Sequence, residues 1–421
     1  MLQARGRASG RCLREALGGK MNKIIDVDAH VHEPVDWVAH VDQGLADALG
    51  PPATFLEISD SVFGIGNPAV RELPEQQQPD SRYETILPGF QRHLEMTDDR
   101  QAETLEDPFC NAAARIAHCD ERGIDVQFLN PSFLVGPIVQ AARTKQYHLI
   151  PDIRRCWNTW AMNLVEGYTN RLIPVTQIDL ADIAGSISEM TRMRKLGSRA
   201  FAIPESPVTV ERSKPGKSLT HPDFDPLWAA AVDLGMAAFA HVGFGRERIN
   251  FGWANNGGNN LDTYAFLSQV IAPQVAPQLL LAAMVFDGLF ERFPKLTVVV
   301  EEVGITWLPH LLSVLDHGVG QASCEELNDG EFRPDFAGSA YKLPLKPSEY
   351  LRRQVRVTPL VINEPLQPVL DKAPEMLCFS SDYPHVEGTA DAVAICEGQM
   401  GSLPKATREA FYGGVGDMIG L

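Results

Sequence analysis

The sequence predicts an α/β fold, specifically a (β/α)8 barrel of the TIM type. Three observations carry this. Short, apolar, β-branched runs recur along the 421 residues. Helical stretches separate them, several closed by glycine. The runs number eight. Continuous apolar runs read as parallel strands covered on both faces, and eight alternating units point to a closed barrel. A doubly wound open sheet is the competitor, but no GxGxxG follows any strand.

Taken in order, the first strand is IIDVD at 24–28. A helix ending at Arg122-Gly123 leads into IDVQFL at 124–129, and LIPVTQ at 172–177 follows. Leu196-Gly197 closes the helix before RAFAI at 199–203, and Leu234-Gly235 closes the one before MAAFAH at 236–241. Glycine just past the last turn is the usual helix stop. LTVVVE at 296–301, a weaker VRVT at 355–358 and MLCFSSD at 376–382 complete the set. Long insertions follow strands one and five. The first, near 45–115, contains a polar stretch rich in Pro, Gln and acids at 72–81; it is too long for a simple loop and is expected to form a cap. The second, 244–263, holds an Asn/Gly cluster, and a third, 318–350, precedes strand seven. The expected organisation is one barrel domain over 21–421. Residues 1–20 are expected to lie outside it, as a disordered leader, a targeting peptide or a start-site artefact.

Charge narrows the function. The chain carries 37 Lys+Arg against 54 Asp+Glu, a net −17. Residues 1–20 hold five basic side chains against Glu15, so 21–421 carry −21. That balance argues against a nucleic-acid or anionic-membrane surface, since both need concentrated positive charge. No apolar run reaches the roughly 18 residues of a spanning helix. Seven cysteines, at 12, 110, 119, 156, 324, 378 and 396, include no CxxC. An odd count at long spacing fits a reducing, cytoplasmic setting and argues against a cysteine-type zinc site. The expected partner is a small-molecule substrate.

Chemistry gathers at three strand ends. In Asp28-Ala29-His30-Val31-His32, alternate residues share one face of the strand. His30 and His32 can therefore converge on one cation, with Asp28 on the same side below them. His241 closes strand five, and Ser380-Ser381-Asp382-Tyr383-Pro384-His385 closes strand eight. All three ends open on the C-terminal mouth of one barrel, where such sites lie. His30, His32, His241 and Asp382 would then form a mononuclear centre with room for water or substrate. The expected cofactor is one divalent transition metal, zinc first, with iron, manganese or cobalt also suiting these donors. Arg154, Arg155, Arg246 and Arg248 could pair with a substrate carboxylate; surface solvation is the plainer reading of each.

The chain resembles the amidohydrolase superfamily, in the branch called amidohydrolase-2 or aminocarboxymuconate-semialdehyde decarboxylase-like. The resemblance rests on six segments in order: DVDAHVHEP at 26–34, ERGIDVQFLNPS at 121–132, RLIPVTQIDLAD at 171–182, HPDFDPLWAAAVDLGMAAFAHVG at 221–243, LFERFPKLTVVVEEVGITWLPHLL at 289–312 and FSSDYPH at 379–385. It implies a distorted barrel with one divalent metal on His30, His32, His241 and Asp382, and it suggests a homodimer. Binuclear members bridge two metals with a lysine on strand four, and RAFAIPE has none. Decarboxylases with an HGGG motif after strand six carry a catalytic histidine there. This chain has Glu301-Glu302-Val303-Gly304, and Glu302 takes the aligned place to within one residue. A buried glutamate can still move protons. Asp382, Glu302 and His385 are therefore the catalytic candidates, while His310, Trp307 and Pro309 read as helix or packing residues. The reading placed first is a metal-dependent hydrolase of an amide, ester, lactone or thioester. The alternative is non-oxidative decarboxylation of an aromatic or unsaturated carboxylic acid. A non-catalytic binding protein is the remote third.

Overall fold

The computed structural model describes residues 23–51, 109–208, 216–242, 271–322, 343–360, 364–385 and 388–421. The expected leader, most of the first insertion, all of the second and the middle of the third lie outside the described residues. Strand β1 is Ile25–Val31, β2 Val126–Pro131, β3 Leu172–Pro174, β4 Ala200–Ile203, β5 Ala237–His241, β6 Val298–Glu301 and β7 Val355–Val357. They form two parallel sheets in sequence order, β1-β2-β3 and β4-β5-β6-β7.

Backbone hydrogen bonds join the two sheets into a ring. Thr176, just past β3, bonds to β4: its N–H donates to Ala200 O and its carbonyl accepts from Ala202 N, both at 2.9 Å. The eighth run, 376–382, is too irregular to form a regular ladder, yet it fills the last gap. Cys378 N donates to Val357 O on one side, and Val27 N donates to Phe379 O on the other, both at 3.1 Å. The expected eight-membered barrel is thus closed, its last member tied by an isolated parallel bridge from Leu377 to Val357 and by scattered backbone bonds to β1 rather than by a regular ladder.

Helices cover the ring. Those of seven or more residues among the described ones are α1 (Gln43–Leu49), α2 (Ala112–Arg122), α3 (Val135–Arg143), α4 (Ile150–Leu164), α5 (Ile183–Leu196), α6 (Asp225–Leu234), α7 (Ala272–Phe286), α8 (Leu308–Ala322), α9 (Pro347–Gln354), α10 (Ala392–Met400) and α11 (Lys405–Ile419). Local chemistry sets their ends. Asn111 caps α2 by accepting Ala114 N at 2.9 Å, and Gly123 stops it in the left-handed region at φ 77°. Asp182 caps α5 in the same way. No helix among the described residues is long and apolar enough to cross a membrane.

Two apolar layers hold the ring. The barrel interior is filled by alternate residues such as Val126, Phe128, Ala237, Phe239 and Val299, and Val415 and Ile419 of α11 join them beside Ile25. The intervening residues, such as Phe201, Ala238, Val298 and Val300, face the helices with Trp157 and Trp228. Cys110, Cys119, Cys156, Cys378 and Cys396 are buried free thiols.

β1 departs from simple alternation. Asp26 pairs with Gln127 and Ala29 with Leu129, so three steps on β1 match two on β2. One extra residue is inserted, a β-bulge. Below it Ile25 and Val27 fill the interior; above it Ala29 and Val31 pack in the helix-facing layer. Asp28 and His30 therefore turn into the mouth.

Asp26, just below the bulge, ties β1 to both neighbours. It accepts Gln127 Nε2 at 2.8 Å from β2, and Ser381 N at 2.9 Å and Oγ at 2.6 Å from the eighth run. Glu33 lies past the end of β1 and is fully buried, accepting Phe133 N at 2.8 Å and bonded by Trp157 Nε1. Burial pushes the Glu33 carboxyl up to about 7.

Removing Asp26 leaves two buried donors unpaired, Gln127 Nε2 and Ser381 Oγ, each costing about 1–3 kcal/mol, while Ser381 N keeps Asp28 O. Asp26→Ala should lower the midpoint of thermal or urea unfolding accordingly, and an unchanged midpoint would refute the closing role. Glu33 retains a proton in the folded state that the unfolded chain releases above pH 4.5. Its stability contribution is thus full below pH 4.5 and is lost as pH rises towards 7. Glu33→Gln should flatten that part of the stability–pH curve.

Candidate metal centre

Five of the six side chains proposed from sequence meet at the mouth. β1 delivers His30, β5 ends on His241, β6 leads to Glu302, and the eighth run ends on Asp382 with His385 three residues on. The sixth, His32, is buried beside the site, its ring centroid 5.8 Å from that of His385, but outside both groups of converging donors. β1 ends at Val31, and the His32 ring lies edge-on to Phe109 and Phe133, with centroids 5.1 and 5.4 Å away. Asp28 occupies the place expected of it. Two groups of donor atoms converge within 4.8 Å: Asp28, His30, His241 and Glu302, and His30, Glu302, Asp382 and His385.

The spacing suits one ion. His30 Nε2 is 3.0 Å from His241 Nε2, 3.4 Å from Asp28 Oδ1 and 3.4 Å from Asp382 Oδ1. His241 Nε2 is 3.5 Å from Asp28 Oδ1. Four ligands held about 2.0–2.1 Å from one ion sit roughly 3.3 Å apart.

Tautomers make the same point. A carbonyl can only accept, so His30 Nδ1 donates to Pro131 O at 3.3 Å and His241 Nδ1 donates to Val242 O at 2.7 Å. Both Nε2 atoms then present lone pairs to each other at hydrogen-bond distance. Such a pair needs a positive charge between its members. Without an ion, a proton supplies it. Burial lowers His241, but Asp28 and Glu302, the latter 3.1 Å away, outweigh it and hold this imidazole well above its ordinary value. His30 is held well below, by burial first and then by the charges of His385 and His241. Asp28 stays ionised despite its burial, because His241 and His30 face it. The donor set thus fits a divalent cation, which would displace that proton.

Surrounding residues hold the donors still. Asn130 Nδ2 donates to Asp28 Oδ1 at 3.1 Å and reaches Glu301 Oε2 at 3.5 Å. Burial, then the charge of Asp28, keeps Glu301 well above the usual carboxyl range, so it lies protonated beneath the site. His385 stacks on His30 at 3.7 Å, with Nδ1 3.2 Å from Asp382 Oδ1 and Nε2 2.9 Å from Ser132 Oγ. Glu302 and Asp382 both take left-handed backbone, at φ 57° and 52°. Each such residue costs about 1–3 kcal/mol, and such strain clusters at functional sites. Here it turns each side chain back into the mouth at the end of its strand.

Arg115 of α2 was not legible as part of the site. It is buried and donates to His30 O at 2.6 Å and to Tyr383 O at 3.4 Å, with its guanidinium 4.9 Å from the Tyr383 ring centroid. It therefore braces the backbone of two donor-bearing segments. Ser132 was also missed, although it ends the segment ERGIDVQFLNPS at 121–132. His310 is exposed on α8, whereas Trp307 is buried and donates Nε1 to Gly304 O at 2.8 Å.

Known proteins share this frame. The amidohydrolase family model matches residues 25–414. The 2-amino-3-carboxymuconate-6-semialdehyde decarboxylase of Dictyostelium discoideum is 22% identical over 322 residues, covering 76% of this chain and 79% of that protein. An amidohydrolase from Mycobacterium avium subsp. paratuberculosis aligns over 95% of this chain and 98% of its own, with TM-score 0.66 and 21% identity. The 5-carboxyvanillate decarboxylase of Novosphingobium aromaticivorans, solved with manganese and a nitrobenzoic acid, aligns over 96% and 97%, with TM-score 0.61 and 19% identity. With the family model spanning nearly the whole barrel and the histidine and carboxylate donors gathered at its mouth, this chain belongs to the amidohydrolase family.

Proposed function

We propose that this enzyme is a metal-dependent, non-oxidative decarboxylase of an aromatic or unsaturated carboxylic acid. Hydrolysis, placed first from sequence, becomes the second reading. The observation that carries the change is the position of His385. The sequence argued against decarboxylation because strand six lacks the histidine of the HGGG motif. The eighth run brings an imidazole to the same donors, stacked on His30 and with Nδ1 3.2 Å from Asp382 Oδ1. Two relatives with named activities are decarboxylases, one of them holding manganese, which supports the same choice.

In this reading Asp28, His30 and His241 would hold one divalent ion, with Asp382 beside His30 at 3.4 Å, and manganese or zinc suits these donors. When bound, the ion supplies positive charge that orients the substrate's oxygens and steadies charge developing on them. The chain's own groups do the rest. Glu302 and His385 flank the ligands and are placed to carry a proton. One delivers it to the carbon that bears the carboxylate. The bond to the carboxyl carbon then breaks, its electron pair restores the unsaturated system, and CO2 leaves. Ser132 Oγ, 2.9 Å from His385 Nε2, orients that ring, whose Nδ1 faces Asp382.

Purified protein should hold about one equivalent of transition metal, and a chelator should remove both metal and turnover. Asp28→Asn and His241→Ala should lower the metal measured by elemental analysis well below one equivalent. His32→Ala should retain it, and loss of metal there would restore His32 as a ligand. A screen of aromatic carboxylates for CO2, beside amides, esters and thioesters for acid release, separates the two reactions. Acid release with no CO2 would return the enzyme to the hydrolases. Glu302→Gln and His385→Gln should each lower kcat by about 10²-fold or more with metal content intact.

A further inference from the structure

Four arginines were candidates for a carboxylate partner, and the structure separates them. Arg246 and Arg248 lie outside the described residues. Arg155 is exposed and paired with Glu189 at 2.9 Å. Arg154, its neighbour, is different. It is half-buried in α4, and its Nε is shielded from solvent with no hydrogen-bond partner. No ion pair at Arg154 occurs among the described residues.

Its place in the barrel makes this informative. α4 precedes β3 and runs back against the strands, so its first turns lie at the mouth. There Arg154 lines a cavity of about 310 Å³ whose other walls are the exits of β3 and β4, including Ile178, Asp179, Ile203 and Ser206. Asp179 is near enough to favour the charged guanidinium but forms no ion pair with it, and its Oδ1 takes the Ala181 N–H at 3.0 Å. A desolvated guanidinium with free donors costs stability, and a planar fork facing open space matches one ligand group best, a carboxylate held by two parallel hydrogen bonds.

We propose that the cavity at Arg154 is a carboxylate subsite of the barrel mouth. One consequence rests on the decarboxylase reading: a substrate that places its reacting carboxylate at the metal centre and a second in this cavity is a dicarboxylic acid. The subsite itself stands on geometry alone.

Calorimetry on the manganese-loaded enzyme tests it, comparing benzene-1,3-dicarboxylate, benzene-1,4-dicarboxylate and hexanedioate with benzoate and hexanoate. At least one dicarboxylate should bind about tenfold or more tightly than its monoacid. Arg154→Met should abolish that gain, leave monoacid binding unchanged, and hold or raise the melting temperature; Arg154→Lys should keep part of the gain. No dicarboxylate preference in the parent enzyme, or a preference that survives Arg154→Met, overturns the subsite. So does a lower melting temperature in both variants with monoacid binding lost, because Arg154 is then structural. Arg154-dependent binding with no CO2 from any acid keeps the subsite and sinks the decarboxylase reading.

Discussion

One extra residue in β1 decides where the chemistry sits. The run Ile25-Asp26-Val27-Asp28-Ala29-His30 alternates apolar and polar, and an unbroken strand would send every polar side chain the same way. The bulge between Asp26 and Ala29 shifts the phase by one. Ile25 and Val27 fill the barrel interior, Asp26 turns to the neighbouring strands, and Asp28 and His30 turn into the mouth. Without the shift the interior would meet either a charged base or an apolar mouth.

The bulge works because the ring is closed beside it. Asp26 and Ser381 are 355 positions apart in the chain, yet two hydrogen bonds join them. Asp382 N and Ser381 N both donate to Asp28 O, so the eighth run bends around the same extra residue. Arg115 adds a brace from the helix layer to His30 and Tyr383. These ties hold Asp382 in left-handed backbone and fix the distance between two donors that the sequence places at opposite ends. Donors fixed before an ion arrives need little reorganisation when it binds.

Charge gives the mouth its purpose. Asp28, Asp382 and Glu302 gather around the imidazoles of His30, His241 and His385, a cluster that an added positive charge satisfies. Glu301 beneath them avoids adding a fourth negative charge by staying protonated. Arg154 stands apart from this cluster as an uncompensated positive group in its own cavity. The mouth thus offers two kinds of attraction to an acid.

Much of this was legible in the sequence. Apolar runs, glycine stops and strand-end histidines fixed the barrel class and the order of its members, and pointed to five side chains that meet at one mouth, because those signals are local and periodic. The closure by 376–382 was legible as a strand but not as an irregular run with one bridge and scattered bonds. The bulge, the place of His32 beside His385 rather than within the donor groups, and the contrast between Arg154 and Arg155 were not. Sequence spacing sets which face a residue shares with its neighbours. Only packing of the closed ring decides which way that face points, and which charged group finds a partner.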